Sequence, residues 1–242
     1  YNSEGGNGWM GLGWDLSIPG VSLDTRWGAP RYDGTYETEI YSMGGMLTLK
    51  SGNDYTNPHR KDNILRSENT SNNQKQFYPR IEGSYAQIIR HGDSPTNYWW
   101  EVTDKTGNKN FYGGYAGAVV NEAVIRTGNN LTDGNISYWG LYRTEDTNGN
   151  YVQYNYDPDQ FITDMVNVPG QNGKEFYIQS IEYTKNTNAP NDSNFYRVTF
   201  ERDREVKVGT NLQDRRDIQI NAKNGVVQVT RDFLKEIKVS MQ

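Results

Sequence analysis

Residues 138–156, with the sequence YWGLYRTEDTNGNYVQYNY, have the pattern of one complete β-hairpin. Large side chains recur at every second residue of both halves: Trp139, Leu141 and Arg143 in the first, and Val152, Tyr154 and Tyr156 in the second. Alternation with a period of two is typical of a half-buried strand. We therefore expect each set to share one face of its strand.

The centre of this stretch carries the turn. Asn148 and Gly149 tolerate a positive φ at both central positions of a tight turn, which makes the pair a strong hairpin signal. A similar unit lies about forty residues upstream, where a strand containing Trp100 is followed by Asp104, Gly107 and an aromatic return strand. The repetition predicts a sheet assembled from similar hairpins.

The composition favours an all-β fold of many short antiparallel strands. The chain has 242 residues, of which 34% are hydrophobic and 13% aromatic. Tyr and Trp bury a large apolar body while keeping a polar tip, so they partly compensate for the low apolar fraction. No convincing amphipathic helix is present. We expect one continuous β-rich region over residues 1–242, with surface loops near 51–75, 127–135 and 185–194.

Charge and cysteine content exclude several classes of function. The net charge of −5 gives no reason to expect nucleic acid or an anionic membrane as the main partner. The absence of cysteine excludes a disulfide scaffold, thiolate metal sites and cysteine nucleophiles. No segment has the pattern of a membrane span or a signal peptide. The chain begins in apparent mid-sequence, and we interpret it as a piece of a longer polypeptide.

A glycine-rich opening segment matches a nucleotide-binding fingerprint by spacing alone. Gly6-x-Gly8-x-x-Gly11 needs a helix that opens at its third glycine and points its N-terminus at a pyrophosphate. Gly13 and Pro19 would break such a helix. We expect instead that the glycines let the backbone pass close beneath Trp9 and Trp14.

The remaining catalytic candidates are weak. His59 and His91 are the two histidines, and they lack the spacing of a zinc site. Glu37 and Glu39 would share a strand face and form a carboxylate pair of the kind that hydrolyses glycosides. A chain with 30 acidic residues offers such pairs by chance.

Calcium is a further possibility that the sequence leaves open. Asp146-x-Asn148-x-Asn150 and Asp157-x-Asp159 place oxygen ligands at alternate positions, without the bidentate Glu of an EF-hand. The chemistry of tight turns explains the same residues more simply.

Six blocks of sequence, taken in order, carry a resemblance to a known family. They are Gly6-Asn7-Gly8-x-x-Gly11-Leu12-Gly13-Trp14-x-Leu16-Ser17-Ile18-Pro19, Gly28-x-Pro30-Arg31-Tyr32-Asp33, Phe77-Tyr78-Pro79-Arg80-Ile81-Glu82-Gly83-Ser84-Tyr85, Tyr98-Trp99 to Gly113, Trp139-x-Leu141 with Asp146-x-x-Gly149-Asn150-x-x-x-Tyr154-x-Tyr156, and Tyr196-x-Val198-x-Phe200 to Leu234-Lys235-Glu236-Ile237. These blocks resemble the SpvB-type N-terminal region, which is found in virulence-plasmid SpvB proteins and in the B subunit of insecticidal toxin complexes and is related to Rhs/YD-repeat proteins.

The resemblance implies an all-β region that forms part of the wall of a large, curved or spiral β-shell. In that family the shell encloses a toxic C-terminal effector before delivery, and catalysis belongs to the effector. The resemblance thus implies a secreted or cell-surface, non-enzymatic scaffold without a cofactor. Its partners would be the remainder of its own polypeptide and other toxin-complex or secretion-machinery subunits.

Sixteen residues are identified on this basis as structural motif positions, with no catalytic, cofactor or metal residue among them. They are Gly11, Gly13, Trp14, Pro19, Pro30, Tyr32, Asp33, Trp100, Asp104, Gly107, Trp139, Asp146, Gly149, Asn150, Tyr154 and Tyr156.

An alternative hypothesis is a surface adhesin or carbohydrate-binding module. In that case Trp9, Trp99 or Trp139 would be exposed and would stack on sugar rings. An enzyme is a third hypothesis. We expect the outer strands of a shell segment to pair with strands outside it, since unpaired edges invite aggregation.

Overall fold

The computed structural model describes residues 7–51, 54–56, 64–68, 70–162, 173–190, 193–203, 205–208, 211–214, 217–222 and 224–242. Within these ranges the chain forms 25 short strands and two 3₁₀ helices, Thr25–Trp27 and Asn121–Ala123. The strands are β1 (Asn7–Gly8), β2 (Gly11–Leu12), β3 (Gly20–Leu23), β4 (Tyr41–Ser42), β5 (Leu47–Ser51), β6 (Asp54–Thr56), β7 (Thr70–Ser71), β8 (Gln74–Pro79), β9 (Gln87–His91), β10 (Trp99–Thr103), β11 (Lys109–Tyr112), β12 (Gly114–Tyr115), β13 (Ala118–Val119), β14 (Val124–Arg126), β15 (Ile136–Glu145), β16 (Asn150–Tyr156), β17 (Phe161–Ile162), β18 (Gly173–Lys174), β19 (Ile178–Asn186), β20 (Tyr196–Asp203), β21 (Glu205–Val208), β22 (Asn211–Asp214), β23 (Gln219–Asn221), β24 (Gln228–Thr230) and β25 (Phe233–Met241).

One large sheet dominates the molecule, and the prediction of an all-β fold is confirmed. Its main path runs β25-β20-β19-β16-β15-β11-β10-β9-β8-β5-β6, and β3, β4, β7 and β14 attach beside it, giving 15 strands. All of the strand pairs in this sheet are antiparallel. The two hairpins recognised in the sequence, β10–β11 and β15–β16, lie side by side in it. None of the described helices is long and apolar enough to cross a membrane.

Strand β15 joins two layers because it changes neighbours along its length. Its first half lies between β14 and β3, where Trp139 pairs with Val124 on one side and Val21 on the other. Its second half lies between β11 and β16, where Arg143 pairs with Gln153. A strand that passes between sheets in this way forms a corner, and the core fills the space between the layers.

A β-bulge marks this corner. Phe111 pairs with Arg143 and the next residue, Tyr112, pairs with Leu141, so Tyr142 is an extra residue on β15. An extra residue bends the strand and changes the face to which the following side chains point.

The bulge corrects one expectation from the sequence. Trp139 and Leu141 lie in the main core, but Arg143 lies on the opposite face of the sheet. There its guanidinium carbon stands 4.3 Å from the ring centre of Tyr115 and 3.5 Å from that of Tyr151. The expectation that all three first-strand residues share a face was wrong, because the bulge interrupts the alternation between Leu141 and Arg143.

Two hydrophobic clusters are formed mainly by side chains from the strands of the large sheet. The first gathers side chains from β3, β4, β5, β8, β9, β10, β11, β14 and β15 around Trp100 and Trp139. The second lies around Tyr156 and Phe200, and Tyr154 packs against both clusters. The prediction that Tyr154 and Tyr156 share a face is therefore confirmed.

The loops were predicted with mixed success. Residues 127–135 contain no strand, but β19 extends into the predicted 185–194 loop as far as Asn186. The prediction of an exposed loop over 51–75 was wrong for several of its described residues. Ile64, Arg66 and Lys75 are buried, because their side chains enter the core and a charge network within it.

Candidate functional site

The turn between β15 and β16 is built around one carboxylate. Asp146 N donates to Asn150 O at 2.9 Å, and Gly149 N donates to Asp146 O at 3.1 Å. Asp146 Oδ1 accepts from the backbone amides of Asn148 and Asn150, at 2.8 and 2.9 Å, and Oδ2 accepts from Asn150 Nδ2 at 2.8 Å. The hydrogen bond from the Asn150 side chain is the largest cause that lowers the pKa of Asp146.

The turn between β10 and β11 repeats this geometry. Gly107 N donates to Asp104 O at 3.0 Å, and Asp104 Oδ1 accepts from the amides of Thr106 and Asn108 at 2.7 and 3.0 Å. Asn108 Nδ2 donates to Asp104 Oδ2 at 3.1 Å. The shared pattern Asp-x-x-Gly-Asn thus specifies one structural unit twice.

The turn type differs in detail from the sequence-based expectation. Gly149 has φ of 80° and Gly107 has φ of 89°, but Asn148 is not among the described residues with positive φ. One left-handed glycine therefore closes each turn, and the carboxylate supplies the remaining order.

Successive turns also pack against one another along one rim of the sheet. A Cβ atom on Gly107 would lie 2.9 Å from Thr147 Cγ2, and one on Gly149 would lie 2.2 Å from Thr187 Oγ1. Thr187 N donates to Gly149 O at 2.9 Å. The connections β10–β11, β15–β16 and β19–β20 therefore form a row of touching tips.

The turn interpretation accounts for both candidate calcium segments. Protein donors already occupy the carboxylate of Asp146. Asp157 Oδ1 accepts from Asp159 N at 2.9 Å, and Asp157 Oδ2 forms an ion pair with Arg202. Among the residues that the structure describes, no three His, Cys, Asp or Glu side chains are grouped so that they could hold a metal ion.

The opening glycines are needed for their positive φ angles and not for a close approach of the backbone to a tryptophan. Gly11 and Gly13 have φ of 98° and 73°, and β2 rather than a helix begins at Gly11. A Cβ on Gly8 would lie 3.7 Å from Trp14 O, which is ordinary contact, and Trp14 is 56% exposed. The expectation that the backbone passes closely beneath Trp14 was therefore wrong.

The other motif residues of the first forty hold loops to the core. Pro19 O accepts from Leu141 N at 3.2 Å, which ties the opening loop to β15. Asp33 Oδ1 accepts from the backbone amides two and three residues further on. Pro30 and Tyr32 are half-buried, and Tyr32 packs against the first cluster.

The aromatic motif residues of the hairpins form the centre of the molecule. Trp100 and Trp139 are 0% and 1% exposed, with ring centres 5.9 Å apart. Trp139 Nε1 donates to Tyr98 O at 2.6 Å, and Tyr156 Oη donates to Leu141 O at 2.8 Å. The polar tips of Trp139 and Tyr156 are thus satisfied, and their rings add specific geometry to a large buried apolar area.

Five buried charged side chains lie beside this aromatic centre and form what we call the Glu37 network. Arg90 donates two hydrogen bonds to the Glu37 carboxylate, at 2.6 and 2.9 Å. Lys75 Nζ lies 3.2 Å and Arg66 Nη1 3.3 Å from the same carboxylate. Arg66 Nη2 also pairs with Glu39 Oε2 at 2.7 Å.

Aromatic residues enclose the Glu37 network. The guanidinium carbon of Arg90 stands 3.7 Å from the ring centre of Tyr98, and Arg90 Nη1 donates to Tyr41 Oη at 2.9 Å. The Glu37 side chain has no exposed area and that of Arg90 only 2%. A charge this deeply buried requires well-placed partners, because unpaired it would be strongly destabilising.

This arrangement contradicts the hypothesis that Glu37 and Glu39 are a catalytic pair. Burial would raise the pKa of Glu37, but the charges of Arg90, Lys75 and Arg66 outweigh burial and lower it to about 2. A general acid in glycoside hydrolysis needs a raised pKa. The two carboxylates are instead structural partners of buried cations.

The sequence offered little signal for the Glu37 network. Its members are separated by up to 53 residues, and nothing near Glu37 identifies them as partners. One clue was available in β8 and β9, where Lys75 and Arg90 alternate in phase with the apolar residues Phe77 and Ile88.

His91 belongs to a separate polar cluster. Its ring stacks on Trp99 at 3.8 Å and 4°, and its Nε2 atom lies 3.1 Å from Glu101 Oε2. Lys109 Nζ pairs with the other oxygen of Glu101 at 2.8 Å. The hydrogen bond with His91 is the largest cause that lowers the pKa of Glu101 to about 2. His59 lies outside the described residues.

None of the three tryptophans suggested as sugar platforms is exposed. Trp99 is 6% and Trp139 1% exposed, and Trp9 is half-buried, with its ring centre 5.9 Å from that of Tyr177 and 6.0 Å from that of Phe200. A stacking platform must present an open ring face. The expectation that these residues are exposed was wrong, because Trp99 and Trp139 are buried and Trp9 packs against two aromatic rings.

Solved structures with the same fold include an effector-protein domain and parts of Tc toxin assemblies. The N-terminal domain of the effector protein SpvB from Salmonella typhimurium strain LT2 matches 99% of this chain and 80% of its own, with a TM-score of 0.68 and 17% identity. The TcdB2-TccC3 structure matches 100% of this chain with a TM-score of 0.63 and 16% identity. A Photorhabdus luminescens Tc holotoxin pore matches 99% of this chain with a TM-score of 0.65 and 16% identity.

This chain spans 12% of the matched chain in each of the two Tc structures. No curated protein matches it. The family described as the Salmonella virulence plasmid 65 kDa B protein, SpvB, matches residues 1–209, which is most of the chain. Because this family model covers more than half of the chain and the fold agrees, the chain belongs to the SpvB family.

Proposed function

We propose that this chain is a non-enzymatic wall segment of a large, secreted toxin-complex-like protein, whose shell encloses a toxic C-terminal effector and helps to deliver it. The observation that carries the proposal is membership of the SpvB family over residues 1–209, together with a fold that recurs as 12% of much longer Tc chains. The partners would be the remainder of its own polypeptide and other subunits of the complex.

The internal chemistry supports a scaffold role. The carboxylate of Glu37, whose pKa is lowered to about 2, is held ionised among three cations and has no exposed area. The turn carboxylates Asp104 and Asp146 are occupied by protein donors. These carboxylates hold strands and turns in place, which is the role expected of a structural wall segment.

Protease protection in the full-length polypeptide tests the proposal. Trp100→Ala should open the wall, because it leaves a large cavity in the first cluster. Trp27→Ala, at a site that is 52% exposed, is the matched control. We expect rapid cleavage of the segment downstream of the shell in the Trp100 variant, and protection in the wild type and in the control.

Equal cleavage of the downstream segment in all three proteins would contradict enclosure. The isolated chain provides a second check, since a wall segment should have an edge that is unsatisfied by itself. Poor solubility or self-association supports the proposal, and a cooperative thermal transition of a monomer would count against it.

A further inference from the structure

A polar cavity of about 470 Å³ lies where three connections of the fold meet, and we call it the Arg126 cavity. The turn after β7, the connection between β9 and β10, and the β12–β13 hairpin contribute to its wall, as does Arg126 at the end of β14. Small-molecule sites in proteins typically have volumes of about 300–1,000 Å³. The cavity is therefore large enough for a small ligand.

Arg126 is a buried cation that is hydrogen-bonded only to neutral groups. It is 6% exposed, its Nη1 atom donates to Thr96 O at 2.7 Å and to Gly134 O at 3.0 Å, and its Nη2 atom donates to Asn121 Oδ1 at 3.0 Å. A guanidinium has five N–H groups. One on Nη2 and the one on Nε are left, and Nε is buried without a partner among the described residues.

The other buried arginines of the described chain are each paired with an acid. Arg66, Arg90 and Arg143 form ion pairs with glutamates, whereas Arg126 forms none with a described residue. Asp133 acts on Arg126 only from beyond ion-pair distance, and burial lowers the pKa of Arg126 in spite of it. A buried charge is costly unless it has a charged partner. A carboxylate that enters the cavity would supply that partner.

Another part of the wall consists of amide side chains. Asn72 and Asn73 have φ of 52° and 57° and form the turn between β7 and β8, and Gln74 is the first residue of β8. These three side chains line the cavity and make no hydrogen bond with a described residue. Amides both donate and accept hydrogen bonds, as hydroxyl groups do. This part of the wall therefore suits a ligand that carries several hydroxyl groups.

The remaining acid and ring of the wall narrow the class of ligand. Asp93 is the acid among the described lining residues; it is exposed, and its Oδ1 atom accepts from Asn97 Nδ2 at 2.7 Å. An acid beside the cavity disfavours a ligand of high negative charge, such as phosphate, and favours one whose hydroxyl groups donate to it. Trp99 is buried with its ring stacked on His91 at 3.8 Å, so hydrogen bonds and charge would hold the ligand rather than stacking. One carboxylate with several hydroxyl groups meets these conditions.

We propose that the Arg126 cavity binds a sugar acid, with the carboxylate of the ligand beside Arg126 and its hydroxyl groups on the amides of Asn72 and Asn73. Two sources offer this chemistry, a free sugar acid and the terminal residue of an acidic glycan. The proposal goes beyond the role of a wall segment, because binding in the cavity needs neither a shell nor an effector.

Saturation-transfer NMR titrations of the full-length polypeptide test the class of ligand. The sugar acids are glucuronate, galacturonate and N-acetylneuraminate; glucose carries only hydroxyl groups, and acetate only a carboxylate. We expect one of the three acids to bind at least about tenfold more tightly than glucose or acetate, since each of the latter lacks one set of contacts. The methyl glycoside of that acid distinguishes the sources. Equal binding shows that the terminus of a glycan fits the cavity, and weaker binding restricts the site to the free acid.

Two variants test whether the ligand lies in this cavity. Arg126→Gln removes the cation and should weaken binding of the sugar acid by about tenfold or more. Asn73→Asp should also weaken it, because it adds a second acid to the wall. Asn73 is exposed and Asp tolerates a positive φ, so this variant should keep its fold. Asn188→Asp, the same change at an exposed residue outside the wall, is the control and should bind as the wild type does.

Four outcomes would overturn the proposal. The first is that none of the three sugar acids binds. Acetate binding as tight as that of the best acid would exclude recognition of hydroxyl groups, and glucose binding as tight would exclude recognition of the carboxylate. Unchanged binding in Asn73→Asp would place the ligand elsewhere, whether or not Arg126→Gln folds. None of these outcomes bears on protease protection by the shell, so the proposed function stands or falls separately.

Discussion

At the scale of single residues, the carboxylate of Glu37 is expected to contribute strongly to the free energy of unfolding. Glu37→Gln keeps the shape of the side chain but leaves Arg90, Lys75 and Arg66 with Glu39 as the remaining carboxylate of the network. Breaking a buried ion pair from one side costs about 3–5 kcal/mol. We expect a loss of that size in the free energy of unfolding, measured in urea at pH 7. Glu236→Gln, on an exposed pair with Lys238, is the control and should change stability little.

The same carboxylate predicts a defined dependence of stability on pH. The pKa of Glu37 is lowered from 4.5 to about 2 in the folded chain, so its stabilising contribution is complete above pH 4.5 and is lost as the pH falls towards 2. Glu101, whose pKa is also lowered to about 2, titrates over the same range, but it does so in the wild type and in Glu37→Gln alike. The difference in unfolding free energy between wild type and Glu37→Gln isolates Glu37, and it should narrow from pH 5 to pH 3. A constant difference would contradict this account.

At the scale of elements, the rim of turns depends on glycine for two separable reasons. Gly149 has φ of 80° and no room for a Cβ, whereas Gly117 has φ of 90° and open space around it. Gly117→Ala should cost about 1–2 kcal/mol through backbone strain alone. Gly149→Ala should cost more, because its Cβ meets Thr187.

A double variant separates the two costs of Gly149→Ala. Adding Thr187→Ala to Gly149→Ala removes the Oγ1 atom that lies 2.2 Å from the new Cβ. The combination should recover part of the lost stability in urea unfolding, in the manner of a double-mutant cycle. Equal losses in the Gly117 and Gly149 variants, or no recovery, would mean that the turn tips do not press on each other.

The turns and the bulge show which elements a sequence can predict. Asp146 and Gly149 specify their turn through bonds within five residues, so the sequence predicted the hairpin. The bulge at Tyr142 depends on the pairing of β11 with β15, which no local pattern reports. The Glu37 network was missed for the same reason, since Glu37 and Glu39 looked like an ordinary alternating strand face.

At the scale of the whole molecule, burial falls from β15 towards β25. β15 lies between two layers and contributes Trp139 and Leu141 to the first cluster, whereas most of β25 is exposed. Local opening free energies follow buried contacts and hydrogen bonding. The fold should therefore open least readily at β15 and most readily at β25, as expected of a segment whose last strand joins another strand.

Hydrogen exchange followed by mass spectrometry measures this gradient directly. Amides of β15 and β10 should exchange slowest and those of β25 fastest. Uniform exchange across the sheet would contradict the gradient.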